Sequence, residues 1–483
     1  MNKTAALITV LLASVSLNAG EYEANWESLD RRPTPDWWRD AKLGVFIHWG
    51  IYSVPAFAPT TKQGEAGFYS EHYQHRIIDG EPVFSAHHRR LYGNRTYDSF
   101  AEDFTADAFD ARAWARLFRR AGAGYVVLTA KHHDGFCLWP SRASRGRDAV
   151  KTGPKRDLCR EFADAMRAEG LRRGFYYSLI EYENPLYDYA PGDRKKVDVT
   201  RFVRDVNLVQ LHELTEAYEP DVIWPDGEWR NSDRELRSRE FLAWLFNESP
   251  VKDYVAVNDR WGRIYADGVP TSEMKRTRGS HGGYYTTEYG RGAGSSDGIG
   301  AMAKVSDLHP WEECRGLGRS FGYNRYERAD DYITAEALVH LFVRIVGGGG
   351  NLLINVGPDR HGFIPPIQEE RLLQLGRWLK VNGEAIYGTR AWRGSPPPDV
   401  CREKGVFFTT KGGDVYAIAT AWPKGPVEVR GVGGVESVAM VGVPAKVEWS
   451  ETADGVRFEA PRLRPDEMPC EWAWCFKIAG KGK

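Results

Sequence analysis

The stretch PDVIWPDGEW, residues 220–229, joins a short apolar run to an acidic turn. Residues 222–224 favour a β-strand, and the Pro-Asp-Gly sequence that follows ends it. A charge at the end of a buried strand is costly unless a partner or a substrate uses it. Catalytic carboxylates of (β/α)8 barrels lie at this position, so Asp226 is a candidate catalytic residue. The simpler interpretation of an isolated Asp-Gly pair is that Asp226 only caps the turn.

Similar apolar runs, most of them followed by polar residues, recur along the chain. They predict strands at residues 43–47, 125–128, 173–178, 222–224, 254–257, 281–288, 320–323 and 352–356. Helical spacing of apolar residues predicts helices at residues 110–121, 157–168, 203–218 and 234–246. This alternation is typical of an α/β fold, and we predict a (β/α)8-type barrel over residues 20–391. Residues 263–280 and 291–306 are rich in Gly, Ser and charge, which predicts loops over the site.

The sequence pattern changes after residue 391. Residues 392–483 alternate apolar and polar positions in short runs separated by turn residues. This pattern is typical of a small antiparallel β-sandwich. Few polar groups converge there, so we expect the second domain to contribute packing and stability rather than chemistry.

Net charge argues against two classes of partner. The 483 residues include 65 basic and 66 acidic side chains, for a net charge of −1. No surplus charge would therefore attract nucleic acid or an anionic membrane. Aromatic residues make up 13% of the chain, which suits stacking on sugar rings and, equally, a large aromatic core.

The amino terminus is predicted to be a secretory signal. Lys3 precedes an apolar run over residues 5–17, and a small residue, Ala19, marks the predicted cleavage point. The run is too short to span a bilayer. We therefore expect residues 1–19 to be removed and the mature protein to be exported.

The six cysteines do not form a metal-binding pattern. They are scattered along the chain rather than paired at zinc spacing. Cys470 and Cys475 could form a disulfide in an oxidising compartment, and buried free thiols are an equal alternative.

The polar residues that could perform chemistry lie in the barrel part. They are His48, Glu71, His132, His133, Asp134, Asp226, Arg260, Glu288 and Glu312. A metallohydrolase would use histidines and Asp226 as ligands, but adjacent His132 and His133 would point to opposite sides of a continued strand. No H-E-x-x-H motif is present either. A glycosidase would use two carboxylates and let the other groups hold sugar hydroxyls, so this class is favoured.

Six segments follow one another along the chain: FIHWG (46–50), AKHHDGF (130–136), PDVIWPDGEW (220–229), NDRWG (258–262), GGNLLINVGP (349–358) and NGEAIYGT (382–389). Together they resemble the α-L-fucosidases of glycoside hydrolase family 29. The resemblance implies a retaining enzyme that removes terminal α-L-fucose from glycans, with no metal or other cofactor. It also implies a barrel followed by a β-sandwich.

The resemblance assigns roles position by position. Asp226 matches the nucleophile that would form a fucosyl-enzyme ester, and Tyr176 matches a tyrosine near it. Glu71 matches the glutamate of a Y-x-E-W motif whose tryptophan is replaced here by His72. Residues that match holders of fucose hydroxyls are His48, His132, His133 and Arg260. Aromatic positions that would recognise the 6-deoxy methyl group are Phe46, Trp224 and Phe321.

Two glutamates are candidates for the general acid/base. Glu288 resembles the T-x-E-Y stretch that carries this residue in one branch of the family, and Glu312 matches a W-E pair that serves in other branches. We favour Glu288, because it precedes a Gly- and Ser-rich loop from which a carboxylate could move over the leaving group. Glu312 would then orient a substrate hydroxyl or another site residue.

Other functions are compatible with parts of this pattern. A related retaining glycosidase could act on α-L-galactosides or on sulfated fucose polymers, with loops setting the choice. A non-catalytic fucose-binding relative would have lost a carboxylate, whereas both candidates are present here. The linkage, the natural glycan and the oligomeric state are left open.

Overall fold

Eight parallel strands form a single sheet in the N-terminal part of the protein. The computed structural model describes residues 22–60, 69–187, 198–263, 281–290, 309–394 and 405–480. The strands are β1 Leu43–Ile47, β2 Tyr125–Lys131, β3 Arg172–Ser178, β4 Val222–Asp226, β5 Ala256–Val257, β6 Tyr285–Glu288, β7 Trp311–Gly316 and β8 Asn351–Val356.

The sheet curls into a half-barrel. Its strand order is β5-β4-β3-β2-β1-β8-β7-β6, so β5 and β6 stand at its two ends. A parallel bridge between Asn258 and Tyr284 connects these ends, and the backbone of Tyr284 donates to the carbonyl of Val257 at 3.1 Å. Side chains of β1, β2, β4 and β8 are buried along the whole strand, as expected of a sheet covered on both faces. The predicted barrel-type α/β fold is confirmed.

Helices alternate with the strands in the first half of the sheet. The helix Ala111–Arg120 begins where the side chain of Asp110 accepts from the backbone of Ala113, and it buries Trp114 and Phe118. The α-helices are Trp26–Leu29, Asp36–Ala41, Tyr73–Ile78, Pro82–Tyr92, Phe100–Asp103, Ala111–Arg120, Leu158–Ala168, Thr200–Phe202, Leu208–Tyr218, Ser238–Asn247, Ala335–Gly347 and Pro366–Asn382, with a π-helical turn at Val203–Asn207. Short 3-10 turns lie at Ile51–Ser53, Ser70–His72, Tyr97–Ser99, Ala329–Asp331, Gly383–Ala385 and Pro465–Glu467.

The seventh strand lies elsewhere than predicted. The prediction of a strand at residues 320–323 is wrong, because this strand is Trp311–Gly316 (WEECRG). The sequence pattern did not predict this strand, because two consecutive charged residues argue against a buried strand. Both Glu312 and Glu313 are nevertheless fully buried. Hydrogen-bond donors meet them, such as the backbone of Gly290, which donates to Glu313 at 2.7 Å.

A buried ion pair fixes the end of β2. Lys131 Nζ lies 2.8 Å from Glu181 Oε1, and the two side chains are 0% and 5% exposed. The same ammonium donates to the hydroxyl of Tyr177 and to the side-chain oxygen of Gln210, each at 3.0 Å. Lys131 directly precedes His132, so this network holds the segment that carries the two adjacent histidines.

The C-terminal part forms two antiparallel sheets, as predicted. One has the order β13-β16-β11-β10-β9 and the other β12-β15-β14. Val415 and Phe476 of the first sheet share a core with Val456 and Phe458 of the second, so the sheets form a sandwich. The strands are β9 Arg390–Ala391, β10 Val406–Lys411, β11 Asp414–Ala419, β12 Val427–Arg430, β13 Val435–Met440, β14 Glu448–Thr452, β15 Gly455–Glu459 and β16 Trp474–Gly480.

Hydrogen bonds fasten the sandwich to the half-barrel part. Trp378 donates to the carbonyl of Ala473 at 2.8 Å, and Thr409 donates to that of Ala385 at 2.7 Å. The short strand β9 pairs with β10 and therefore belongs to the C-terminal sheet, although it ends at residue 391. The domain boundary after residue 391 stays a prediction.

Several predicted features fall outside the described residues. They are the secretory signal over residues 1–19 and nearly all of the loops 263–280 and 291–306. Cys470 and Cys475, which are described, are both free thiols. Within the described ranges, no helix combines the length and the apolar character needed to cross a membrane.

Replacing Lys131 with methionine should lower the free energy of unfolding by about 3–5 kcal/mol, because Glu181 would keep a buried charge without its cationic partner. The double variant Lys131→Met/Glu181→Gln should recover part of the loss. Chemical denaturation measures both values. In the matched control Lys446→Met, the pair with Glu448 is 82% and 76% exposed, so stability should hardly change. A single variant as stable as the wild type would contradict this account.

Glu313 should make stability depend on pH. Burial raises the pKa of this carboxyl from 4.5 to about 7, so the folded state holds a proton that the unfolded state has already released. Its contribution to stability is therefore complete below pH 4.5 and is lost as the pH rises through 7. Urea denaturation between pH 4.5 and 8 should show the wild type losing stability relative to Glu313→Gln. A difference that stays constant over this range, as expected for the exposed control Glu448→Gln, would refute the effect.

Candidate active site

A pocket of about 580 Å³ opens where the carboxyl ends of the parallel strands meet. His133 lies behind its wall, with Nε2 3.6 Å from Oδ2 of Asp226. Asp134 is directed elsewhere and accepts a hydrogen bond from Tyr97 at 2.9 Å. Ten residues that the sequence singled out line the pocket: Phe46, His48, Glu71, His132, Tyr176, Trp224, Asp226, Arg260, Glu288 and Phe321.

Asp226 ends β4 at the bottom of the pocket. Arg260 Nη1 lies 2.7 Å from its Oδ1, and the hydroxyl of Tyr176 donates to its Oδ2 at 2.9 Å. Burial alone would raise the pKa of this carboxyl. The charge of Arg260 and the hydrogen bonds from Arg260 and Tyr176 outweigh burial and hold the pKa below its ordinary value. Asp226 is therefore an ionised carboxylate with fixed orientation.

Arg260 connects the two carboxylates of the pocket. Its Nη2 lies 3.5 Å from Glu288 Oε2, while Nη1 holds Asp226. Its Nε donates to Thr286 Oγ1 at 3.0 Å, and the guanidinium lies 4.5 Å from the ring centre of Trp224. These contacts fix both the plane and the position of the guanidinium.

The two glutamates proposed as acid/base occupy different environments. Glu288 lines the pocket, and its side chain is 27% exposed. Glu312 is fully buried beneath the pocket, where Trp224 donates to it at 2.9 Å and the hydroxyl of Tyr125 donates to its other oxygen. Burial raises the pKa of Glu312 to about 7. The pocket surface therefore includes Glu288 and excludes Glu312.

Glu71 brings a third carboxyl to the pocket. Its side chain is buried and accepts a hydrogen bond from the backbone of Gly322 at 2.8 Å. Burial raises its pKa to about 7, and the nearby charge of Glu288 adds to this effect. Glu71 can therefore act as a proton donor to a sugar hydroxyl near neutral pH.

His48 presents a hydrogen-bond acceptor to the pocket. Its Nδ1 lies 2.7 Å from Oδ1 of Asn355, whose amide nitrogen donates to the carbonyl of Phe321 at 2.6 Å. This second bond fixes the amide, so Asn355 Oδ1 accepts and His48 Nδ1 carries the proton. Burial lowers the pKa of His48 to about 4, which leaves Nε2 as an unprotonated acceptor.

His133 is held in the same way. Its Nδ1 lies 2.6 Å from the hydroxyl oxygen of Ser178, which donates its only proton to the carbonyl of Ile180 at 2.7 Å. Ser178 therefore accepts from His133 Nδ1, and the lone pair of Nε2 faces Asp226. Burial lowers the pKa of His133 well below its ordinary value, so the ring is neutral.

The expectation that His132 and His133 point to opposite sides is wrong. β2 ends at Lys131, so strand alternation does not extend to the histidines. Their ring centres lie 4.3 Å apart, and the ring of His132 stacks on Tyr176 at 5.3 Å. One argument against metal binding is thereby removed, and a ring nitrogen of His72 approaches both histidines within 4.8 Å.

Three buried aromatic rings form an apolar wall. The ring centre of Phe46 lies 5.0 Å from that of Trp224 and 6.4 Å from that of Phe321. Sequence reasoning missed several other lining residues, although Trp229 belongs to the stretch PDVIWPDGEW. The missed residues are Tyr69, His75, Arg76, Tyr182, Trp229, Arg263, Tyr289 and Cys314, and His72, which replaces the tryptophan of the Y-x-E-W motif, also lines the pocket.

Family comparisons cover both parts of the chain. The family described as Alpha-L-fucosidase matches residues 9–384, and the Alpha-L-fucosidase C-terminal domain matches residues 400–479. The Alpha-L-fucosidase of Branchiostoma floridae is 39% identical over 469 residues, which cover 95% of this chain and 96% of that protein. The Tissue alpha-L-fucosidase of Homo sapiens is 39% identical over 476 residues, which cover 95% and 92%.

Solved structures give the same result. The alpha-fucosidase of Thermotoga maritima in complex with a mechanism-based inhibitor is 33% identical and superposes with a TM-score of 0.76. The alignment covers 95% of this chain and all of that one. With both parts of the chain matched and with such identity over nearly its whole length, the chain belongs to the α-L-fucosidase family of glycoside hydrolases.

Proposed function

We propose that this protein is a retaining, exo-acting α-L-fucosidase that releases terminal α-L-fucose from glycans. The observation that carries the proposal is the ionised carboxylate of Asp226, held by Arg260 and Tyr176, with Glu288 on the same guanidinium. A retaining glycosidase needs one carboxylate as nucleophile and a second carboxyl as acid/base close to it. The names of the relatives support α-L-fucose as the sugar.

The first displacement forms an ester on Asp226. A carboxylate oxygen attacks the anomeric carbon while the bond to the leaving oxygen breaks, and that oxygen takes the bond electrons and the proton of Glu288. The second displacement reverses the roles. Water gives a proton to Glu288 and attacks the same carbon, and the carboxylate of Asp226 leaves. The low pKa of Asp226 suits both its attack and its departure.

Polar and apolar walls support recognition of a terminal fucose. Nε2 of His48 and of His133 would accept hydrogen bonds from sugar hydroxyls, and Glu71, Arg260 and His132 add further polar contacts. The aromatic wall of Phe46, Trp224 and Phe321 suits a methyl group. The hydroxymethyl group of an α-L-galactoside would lose hydrogen bonds to water there, so this alternative is disfavoured.

The remaining predictions concern the whole chain. Residues 1–19 would direct export, and residues 392–483 would form the stabilising domain. N-terminal sequencing of the exported protein tests the first assignment, because it should begin near residue 20.

Replacing Asp226 with alanine should lower kcat on an aryl α-L-fucoside by on the order of 10⁴-fold, because no carboxylate remains to form the ester. The unfolding transition should stay cooperative, which separates lost chemistry from lost folding. A 2-fluoro fucoside with a good leaving group should label the wild-type protein on the peptide that contains Asp226, and mass spectrometry locates it. A label on another residue would reassign the nucleophile, whereas direct release of the inverted sugar would exclude the retaining mechanism.

Azide distinguishes the two acid/base candidates. On an aryl fucoside whose good leaving group departs without a general acid, Glu288→Ala should be slow in the second displacement and regain turnover with azide, yielding an α-fucosyl azide, because azide needs no general base. Glu312→Ala should show no such rescue, since Glu312 lies beneath Trp224 and outside the pocket. Glu312→Gln preserves the buried shape and serves as its folding control. Rescue of Glu312→Ala alone would transfer the role to Glu312.

A further inference from the structure

Three histidine rings meet at one side of the pocket. One ring nitrogen of each of His72, His132 and His133 lies within 4.8 Å of the other two. The ring centre of His72 is 5.8 Å from that of His132 and 5.7 Å from that of His133. In a tetrahedral zinc site with bonds of about 2.0–2.1 Å, ligand nitrogens lie roughly 3.4 Å apart. Small movements of the rings would therefore bring the three nitrogens to ligand spacing.

His133 is already oriented as a ligand. Ser178 accepts from its Nδ1, so the lone pair of Nε2 is left available on the side of Asp226. Metal-binding histidines almost always have their second ring nitrogen held in this manner, which fixes the tautomer and the ring plane.

His132 has an unsatisfied nitrogen. The residue is 4% exposed, and Nδ1 has no hydrogen-bond partner in the part of the chain that the structure describes. A buried polar atom without a partner is costly, and a ligand that it can bind would recover this free energy. Burial also lowers the pKa of His72 to about 3 and that of His132 well below its ordinary value, so both rings are neutral. Neutral imidazoles are the form that binds metals.

The charges around the cluster allow a cation. Glu71, Asp226 and Glu288 are the carboxyls that line the same pocket, and Arg260 contacts the last two with one positive charge. Arg76 lines the same pocket and adds a second positive charge. The carboxyls make the pocket compatible with a cation, and the imidazole lone pairs decide which ion binds. Imidazole favours Zn²⁺, Cu²⁺ and Ni²⁺, whereas Mg²⁺ and Ca²⁺ prefer oxygen ligands.

We propose that His72, His132 and His133 bind a divalent transition-metal ion, and that the bound ion excludes the sugar from the pocket. The site depends on His72, which replaces the tryptophan of the Y-x-E-W motif. A tryptophan ring has no lone pair that could bind a metal, so the motif itself would not form this site. Binding of the ion itself is independent of the proposed fucosidase activity. Exclusion of the sugar rests on that proposal, since it requires His132 and His133 to contact fucose.

Isothermal titration calorimetry of the EDTA-treated full chain with ZnCl2 tests the site without catalysis. The wild type should bind one Zn²⁺, and MgCl2 should give no binding heat. His72→Phe keeps a planar ring but removes the lone pair. Loss of a residue that only supports a metal ligand typically weakens metal affinity about 10–100-fold, so loss of the ligand itself should weaken the Zn²⁺ affinity by more than this. His212→Phe is the matched control, because His212 lies on the helix Leu208–Tyr218 outside the pocket. It should bind like the wild type.

Each outcome separates the two proposals. Failure of the wild type to bind Zn²⁺, or equal affinity in wild type and His72→Phe, would overturn the metal site even if the protein hydrolyses fucosides. If His72→Phe misfolds by circular dichroism, His72→Gln replaces it. Excess L-fucose should reduce the apparent Zn²⁺ affinity of the wild type at least about tenfold. Zinc binding that fucose leaves unchanged would overturn the exclusion while the site itself stands.

Discussion

A negative charge buried at the end of β4 is the constraint around which the surrounding contacts are arranged. Asp226 stays ionised because Arg260 lies 2.7 Å away, and the guanidinium is itself buried. Trp224 lies under that guanidinium and donates to Glu312, which also accepts from Tyr125. A continuous set of contacts thus connects the inside of the sheet to the carboxylate of Asp226, so a substitution deep in the half-barrel can change the pocket.

This set of contacts reaches the backbone of β1. A Cβ atom on Gly44 would lie 2.4 Å from the ring of Tyr125. Because Gly44 has no side chain, the ring of Tyr125 can pass over β1, and its hydroxyl can donate to Glu312. Burial raises the pKa of Glu312 to about 7, and by itself it would also raise that of Asp226. Asp226 differs because the charge of Arg260, 2.7 Å away, is the largest effect that opposes its burial, whereas at Glu312 this charge acts less than the hydrogen bonds from Tyr125 and Trp224.

The fold and much of the site could be predicted from patterns that depend on nearby residues. Apolar runs that end in polar residues located seven of the eight strands and placed Asp226 at a strand end. The seventh strand was missed because its two glutamates are buried with partners distant in sequence, which a local pattern does not reveal. Opposite directions for His132 and His133 required strand alternation to continue for two residues beyond Lys131, where β2 ends. The contribution of His72 depends on how a loop returns to the sheet, and no local pattern indicates it.

The curled sheet has a seam between β5 and β6, which form no ladder with each other in the described part of the chain and are connected by the bridge from Asn258 to Tyr284 and by the hydrogen bond from Arg260 to Thr286. Asp226 and Arg260 approach the pocket from one side of this seam, and Glu288 approaches from the other. Insertions or deletions in the long connections beside the seam leave the ladders among the other strands in register. The hydrolytic centre can therefore be retained during evolution while the entrance diverges, so one scaffold can serve glycans of different architecture.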